Sequence, residues 1–111
     1  MQYPVCQATV TVYRKEETGV TRFLVENCLY RYETKLEETD RGLFLDRSCL
    51  LVVPGCDFIP KVGDKVMAGI GPENLGWEEL LPALMDSLAE LNYVRPQYWL
   101  GKHCHTEAGR V

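Results

Sequence analysis

The chain of 111 residues lacks several features that would place it in a class at once. It has no uninterrupted apolar stretch of about 18 residues, which is the length that a membrane-spanning helix needs. Its start, Met-Gln-Tyr-Pro, lacks the basic residues and apolar centre of a secretory signal. It also lacks internal repeats and low-complexity tracts. We therefore expect one cytosolic domain, residues 1–111, with no membrane partner.

A surplus of positive charge is also missing. The chain has 12 Lys and Arg against 16 Asp and Glu, which gives a net charge of −4. Most nucleic-acid-binding proteins carry a clustered basic surface that neutralises phosphates. The negative net charge argues against such a protein, although it is compatible with a locally basic patch. The hydrophobic fraction of 46% is ordinary for a soluble globular domain.

The cysteines have no metal-binding or redox spacing, because no Cys-x-x-Cys pair occurs. The chain has five cysteines, and an odd number cannot pair completely within one chain. Cys28 and Cys49 lie in apolar segments, whereas Cys56 follows a Pro-Gly turn. Free thiols packed as small apolar residues are therefore expected, with no disulfide framework.

The residue pattern that is present is mainly β. Residues 8–14 alternate, with Val10 and Val12 on one face, and the pattern of the next segment breaks near Asn27, where a bulge or kink is expected. Leucines from 77 onward fit a helical period that Pro82 interrupts. The strands are predicted at residues 8–14, 20–33, 43–53, within 60–71 and at 98–107, while 88–95 is ambiguous. The pattern predicts a small antiparallel β-barrel with one short helix near residues 77–86.

Candidate chemistry is sparse. His103 and His105 would share one face of a strand and could supply two of the four ligands that zinc needs. The spacing selects no further ligand, whether Glu107 or a distant cysteine. A metal-dependent hydrolase remains an alternative, but we expect no catalytic residue, cofactor or metal.

The aromatic residues offer a second alternative. Such rings could line the face of a small nucleic-acid-binding barrel by stacking on bases. That mode also needs a basic groove, and acidic residues surround the arginines of the β segments. Packing in the core is the other interpretation of the same rings, which are Tyr13, Phe23, Tyr30, Tyr32, Tyr93, Tyr98 and Trp99.

Three segments in order resemble a known family. The chain resembles small structural proteins from the head–tail module of tailed bacteriophages and prophages, often called minor capsid proteins. The resemblance rests on residues 8–14 (ATVTVYR) with 30–33 (YRYE), on 60–71 (PKVGDKVMAGIG) and on 98–109 (YWLGKHCHTEAG). It implies a non-enzymatic β-barrel that assembles into rings between portal and tail, completing the head in the manner of a stopper. It offers no catalytic residue.

Two segments are the predicted contacts with partners. Loops and charged strand ends between β segments are where a ring component would meet its neighbours. The predicted interface residues are Glu33, Lys35, Glu37, Glu38, Asp40 and Arg41 in the first segment and Glu73, Asn74 and Trp77 in the second. The expected partners are portal, connector or tail proteins and further copies in a ring. The expected location is the virion, with a soluble cytoplasmic monomer in the host before assembly.

Overall fold

The computed structural model describes residues 7–40, 42–55, 58–80, 87–99 and 101–110. The chain is mainly β, as predicted. Its seven strands are β1 (Ala8–Glu16), β2 (Gly19–Thr39), β3 (Gly42–Pro54), β4 (Lys65–Ala68), β5 (Ala89–Glu90), β6 (Tyr93–Trp99) and β7 (Lys102–Arg110).

The strands form one antiparallel sheet that curls into a half-barrel. Its order is β5-β4-β1-β2-β3-β7-β6. The long strand β2 belongs to both halves, because Gly19–Cys28 pairs with β1 and Leu29–Thr39 pairs with β3. Its two partners therefore hardly overlap along its length, and β2 turns the corner between the two halves.

Asn27 marks that corner. The register with β1 shifts there, from Val10 opposite Val25 to Ala8 opposite Cys28, and Asn27 has a φ of 55°. Asparagine tolerates this left-handed conformation better than most residues. The bulge or kink predicted near Asn27 is confirmed.

Strand β1 is buried on both faces. Val10 and Val12 lie in the main core, which gathers buried residues from five other strands. Thr11 and Tyr13, on the opposite face, are also at most 1% exposed. The chain that follows β4 covers this second face. A smaller cluster forms there from Tyr13, Leu80 and Leu88, with Val20, Met67, Leu75 and Trp77 packed against it.

The middle of β3 has two different faces. A continuously apolar run such as residues 49–53 is typical of a strand that is buried on both faces. Cys49, Leu51 and Val53 are buried, whereas Leu50 and Val52 are only half-buried. Strand β3 therefore has one face in the core and one face partly open to solvent.

The C-terminal third also differs in detail. The helix expected near residues 77–86 is a single 3-10 turn at Trp77–Glu79, and residues 81–86, with Pro82, lie outside the described residues. The strand predicted at 98–107 is instead a hairpin of β6 and β7, because Gly101 turns the chain with a φ of 79°. No helix among the described residues is long and apolar enough to cross a membrane.

Candidate functional site: the β2–β3 arm

The first predicted contact segment forms the end of a long hairpin. Strand β7 pairs with β3 only from Cys49 onward, and β1 pairs with β2 only as far as Cys28. Beyond these limits β2 and β3 pair only with each other among the described strands, from Glu33 opposite Ser48 to Thr39 opposite Gly42. We call this two-stranded part, residues 33–48, the arm.

The register gives the arm two different faces. Residues opposite each other in an antiparallel pair lie on the same face, and the faces alternate along the strand. One face continues that of the buried Cys49 and carries the pair Thr34–Arg47, whereas the other face carries the pair Glu33–Ser48.

Arg47 fastens the base of the arm to the body. Only 4% of Arg47 is exposed. Its Nη1 donates to the carbonyl oxygen of Leu88 at 2.7 Å, and its Nε donates to the hydroxyl of Thr34 at 3.1 Å. Its guanidinium also lies 5.7 Å from the centre of the Tyr32 ring. These contacts hold both strands of the arm against the chain that enters β5.

Tyr30 makes a second attachment beside it. Its hydroxyl donates to the carbonyl oxygen of Ser87 at 2.6 Å and lies 3.3 Å from that of Val66. Burial raises the pKa of Tyr30 far above its usual value. The phenol is therefore a neutral hydrogen-bond donor that joins β2 to β4 and to the start of β5.

Most of the predicted arm contacts face solvent where the structure describes them. Glu33, Glu38 and Asp40 are exposed. Lys35 and Glu37 lie in β2, but their side chains are outside the described residues, as is the whole of Arg41. The exposed carboxylates of Glu33, Glu38 and Asp40 are accessible to a partner.

The second predicted segment, residues 71–77, is tied to the opposite end of β2. Arg22 donates from Nε and Nη2 to the carbonyl oxygen of Gly71, at 3.1 and 2.8 Å. The Tyr13 hydroxyl donates to the carbonyl oxygen of Pro72 at 2.8 Å. Glu73 is exposed and forms a 3.3 Å ion pair with Arg22. The structure therefore does not bring the two predicted segments together, and they form separate surfaces.

Trp77 is chiefly a packing residue. Its half-buried ring packs against the cluster around Tyr13, Leu80 and Leu88. The ammonium of Lys65 lies 4.3 Å from the ring centre and donates to the carbonyl oxygen of Leu80 at 2.7 Å. Asn74, by contrast, is exposed with a φ of 60°. A partner at this loop would meet Glu73 and Asn74 before Trp77.

The geometry gives little support to the two alternatives, a metal-dependent hydrolase and a nucleic-acid-binding barrel. His105 is half-buried, the side chain of His103 is outside the described residues, and the part of the chain that is described contains no group of three potential metal ligands. Of the described aromatic side chains, only Tyr32 and Tyr98 are more than a third exposed. They lie on β2 and β6, which β3 and β7 separate. The exposed rings therefore form no continuous stacking surface.

The sequence contained one unused signal for the base of the arm. Arg47 occupies the same strand face as Cys49, Leu51 and Val53, which are all buried. A charged residue in the buried register of a strand requires hydrogen-bond partners inside the protein. That position could have identified Arg47 as a structural anchor.

Comparison with protein-family models, with curated proteins and with solved structures finds no match to the chain.

Proposed function

We propose that the chain is a non-enzymatic structural protein of the head–tail connector of a tailed phage or prophage. It works by associating with neighbouring subunits, as a head-completion protein does. The identity of the assembly rests on the three segments that resemble minor capsid proteins. The mode of action rests on the arm.

The arm is the observation that carries an assembly function. A two-stranded ribbon is marginally stable by itself in water, and three or more strands or a packed face are needed for independent stability. Here the ribbon runs from Glu33–Ser48 to Thr39–Gly42 with no third strand among the described residues. A partner that adds a strand would supply what the ribbon lacks.

The positions of the two surfaces suit a ring. A head-to-tail interface joins two different patches of neighbouring subunits, and repetition closes a ring when the rotation permits. The arm extends from one end of β2, whereas Glu73 and Asn74 lie beside the other end, near Arg22. Two contact surfaces at opposite ends of the molecule support this arrangement.

A shortened arm tests the proposal. Deleting residues 36–37 and 44–45 removes two rungs, keeps the turn and preserves the facing of every remaining residue. The wild-type chain, expressed with the portal and tail proteins encoded beside it, should form rings that electron microscopy detects. The shortened chain should stay folded, by circular dichroism and thermal unfolding, and should not enter rings.

A control variant separates loss of contact from loss of folding. Glu73→Ala removes one exposed carboxylate at the other surface and leaves the arm intact, so it should affect ring formation less than the deletion does. Normal rings from the shortened chain would contradict the role of the arm. A gene with no portal, terminase or major capsid gene beside it would contradict the connector assignment.

A further inference from the structure

The sheet opens between β2 and β3 on the side of the corner away from the arm. Strand β2 pairs with β3 from Leu29 onward, and its earlier residues pair only with β1 among the described strands. Strand β3 continues past Val52 to Pro54, where its described partner is β7. The two strands therefore separate at the corner. We call the space between them the cleft.

A cavity of about 480 Å³ occupies the cleft. Five consecutive residues of β2, 22–26, form one wall, and Val53 and Pro54 form the other. Side chains of a strand alternate between its faces, so a cavity lined by five consecutive residues lies along the edge of the strand. Phe58 also lines the cleft, and its ring centre lies 5.0 Å from that of Phe23. The edge of β2 thus borders open space.

The hydrogen bonds of β1 show which backbone groups of β2 point into the cleft. The carbonyl oxygen of Thr9 accepts the N–H of Gly69, which follows β4, so Thr9 faces β4. Alternate residues of an antiparallel strand direct their backbone groups to opposite neighbours. Val12 therefore faces β2, and its partner Phe23 faces β1. The residues on either side of Phe23 must then direct their N–H and C=O groups away from β1 and into the cleft.

Arg22 and Leu24 are those two residues. Neither makes a backbone hydrogen bond on that side with the part of the chain that the structure describes. Leu24 is also 45% exposed. The stretch from Val20 to Glu26 contains no proline or lysine, the residues that commonly block an exposed strand edge. This unblocked edge is a place where another strand would pair.

The side chains around the cleft define the chemistry of such a strand. Val25 and Val53 are buried on the core side of the cleft, and Phe58 is half-buried there. Apolar side chains fit against these three residues. The carboxylate of Glu26 is exposed and makes no hydrogen bond or ion pair with the described residues. A basic side chain opposite it would form a favourable cross-strand pair.

A second copy of the chain has no suitable strand at the ends of its sheet. The terminal strands of the described sheet are β5 and β6. Strand β5 has only two residues, and β6 contains Pro96. Proline cannot donate to a neighbouring strand. A segment of a different protein therefore suits the cleft better than a second copy does.

We propose that the cleft binds an extended segment of a partner protein, which pairs with β2 at Arg22 and Leu24. In this mode of recognition the backbone hydrogen bonds give affinity, and the contacts of alternate side chains give specificity. The segment has apolar side chains towards Val53 and Phe58 and a basic side chain beside Glu26. Binding at the cleft goes beyond the connector assignment and does not depend on it.

Hydrogen exchange followed by NMR tests whether the edge is free. The amide of Phe23 bonds to β1, so the amide of Leu24 should exchange at least about tenfold faster in the wild-type chain. Equal protection of the two amides at every protein concentration would overturn the proposal. Protection of Leu24 that appears only as the concentration rises would place a second copy in the cleft, and would overturn it too.

The peptide Lys-Val-Leu-Val-Thr, acetylated and amidated at its ends, is the probe for binding. Antiparallel to β2, it places its lysine beside Glu26 and its leucine beside Leu24, with both valines on the core side. It should bind with a Kd below about 1 mM and slow the exchange of the Leu24 amide at least about tenfold. The matched control is the same peptide with a methyl group on the leucine nitrogen, which removes the N–H that faces Leu24. Absence of binding, or equal binding of the two peptides, would overturn the proposal.

Glu26→Lys tests the choice of a basic partner. The variant should bind the lysine peptide at least about threefold more weakly and should prefer a peptide with glutamate in place of that lysine. Glu17→Lys is the control, because it makes the same change of charge at the turn after β1 and does not line the cleft; it should bind the lysine peptide as the wild type does. Circular dichroism would confirm that both variants are folded. An E26K chain that still prefers the lysine peptide would overturn the role of Glu26.

Discussion

Arg14 binds Asp64 through two parallel hydrogen bonds. Nε donates to Oδ1 at 3.0 Å, and Nη2 donates to Oδ2 at 2.8 Å. The same carboxylate accepts the backbone N–H of Lys61 at 2.9 Å, while the guanidinium lies 4.9 Å from the centre of the Phe23 ring. One contact thus joins β1, β2 and the turn before β4. The side chain of Asp64 is only 3% exposed, so its carboxylate is hydrogen-bonded inside the protein.

Replacing Asp64 by asparagine should lower the free energy of unfolding by about 2–3 kcal/mol. The change leaves the guanidinium of Arg14 without its charged partner, and breaking a mostly buried ion pair costs more than breaking an exposed one. Urea denaturation would measure the loss. Glu73→Ala, which breaks the exposed ion pair with Arg22, should cost less than about 1 kcal/mol. Equal losses in the two variants would contradict the structural role of Asp64.

Gly71→Ala should destabilise the fold by about 1–3 kcal/mol, in the range of other overpacked cores. An added Cβ would collide with the hydroxyl of Tyr13 and would lie 2.7 Å from the sulfur of Met67. Gly76→Ala is the matched control, because its nearest contact would be an ordinary 3.6 Å to Glu78. Thermal unfolding of both variants would check this. A Gly71→Ala protein as stable as the control would show that the loop can move away from Tyr13.

Stability should fall above about pH 10, and Tyr30 should account for part of the fall. Burial raises the pKa of Tyr30 above its ordinary value of 10.0, so the folded chain holds this proton more tightly than the unfolded chain. By linkage, the stability that this group contributes is complete below pH 10 and is lost progressively above it.

Tyr30→Phe tests that contribution. At neutral pH the variant should be about 1 kcal/mol less stable, because the hydrogen bond to Ser87 is lost. Between pH 9 and pH 11 its melting temperature should fall less steeply than that of the wild type. Some fall should remain, since burial also raises the pKa of Tyr13 and of Tyr93. Identical slopes would show that Tyr30 does not titrate with unfolding.

Cys28 and Cys49 should resist alkylation in the native protein. Both are buried, and burial raises the pKa of the Cys49 thiol, which lowers the fraction of reactive thiolate. Iodoacetamide at pH 8 should therefore leave both residues unmodified until denaturant is added. Peptide mass spectrometry before and after denaturation would measure the alkylation of the two cysteines. Rapid labelling of Cys49 in the folded protein would mean that β3 and β7 separate readily.

The sequence predicted the features that depend on neighbouring residues. The alternation of β1 and the kink at Asn27 are local properties of side-chain pattern and backbone preference, and both are confirmed. The ion pair of Asp64 with Arg14 could not be predicted, because no local pattern links residues that lie far apart in the chain.

Features that depend on distant packing were missed. The second buried face of β1 is covered by Leu80 and Leu88, which lie far along the chain. The strand predicted at residues 20–33 was too short, because pairing with β3 extends β2 to Thr39. The prediction of a single strand at residues 98–107 was wrong, because the chain turns at Gly101 between β6 and β7.

The continuity of β2 and β3 from body to arm has a mechanical consequence. Because the hydrogen bonds of an antiparallel sheet lie perpendicular to the strands, a pull along the arm loads the β1–β2 and β3–β7 bonds in shear. Those bonds must then yield together, whereas a sideways force would open them one after another. The molecule should resist tension along the arm far better than peeling at its tip. A subunit built in this way suits a joint under sustained axial load.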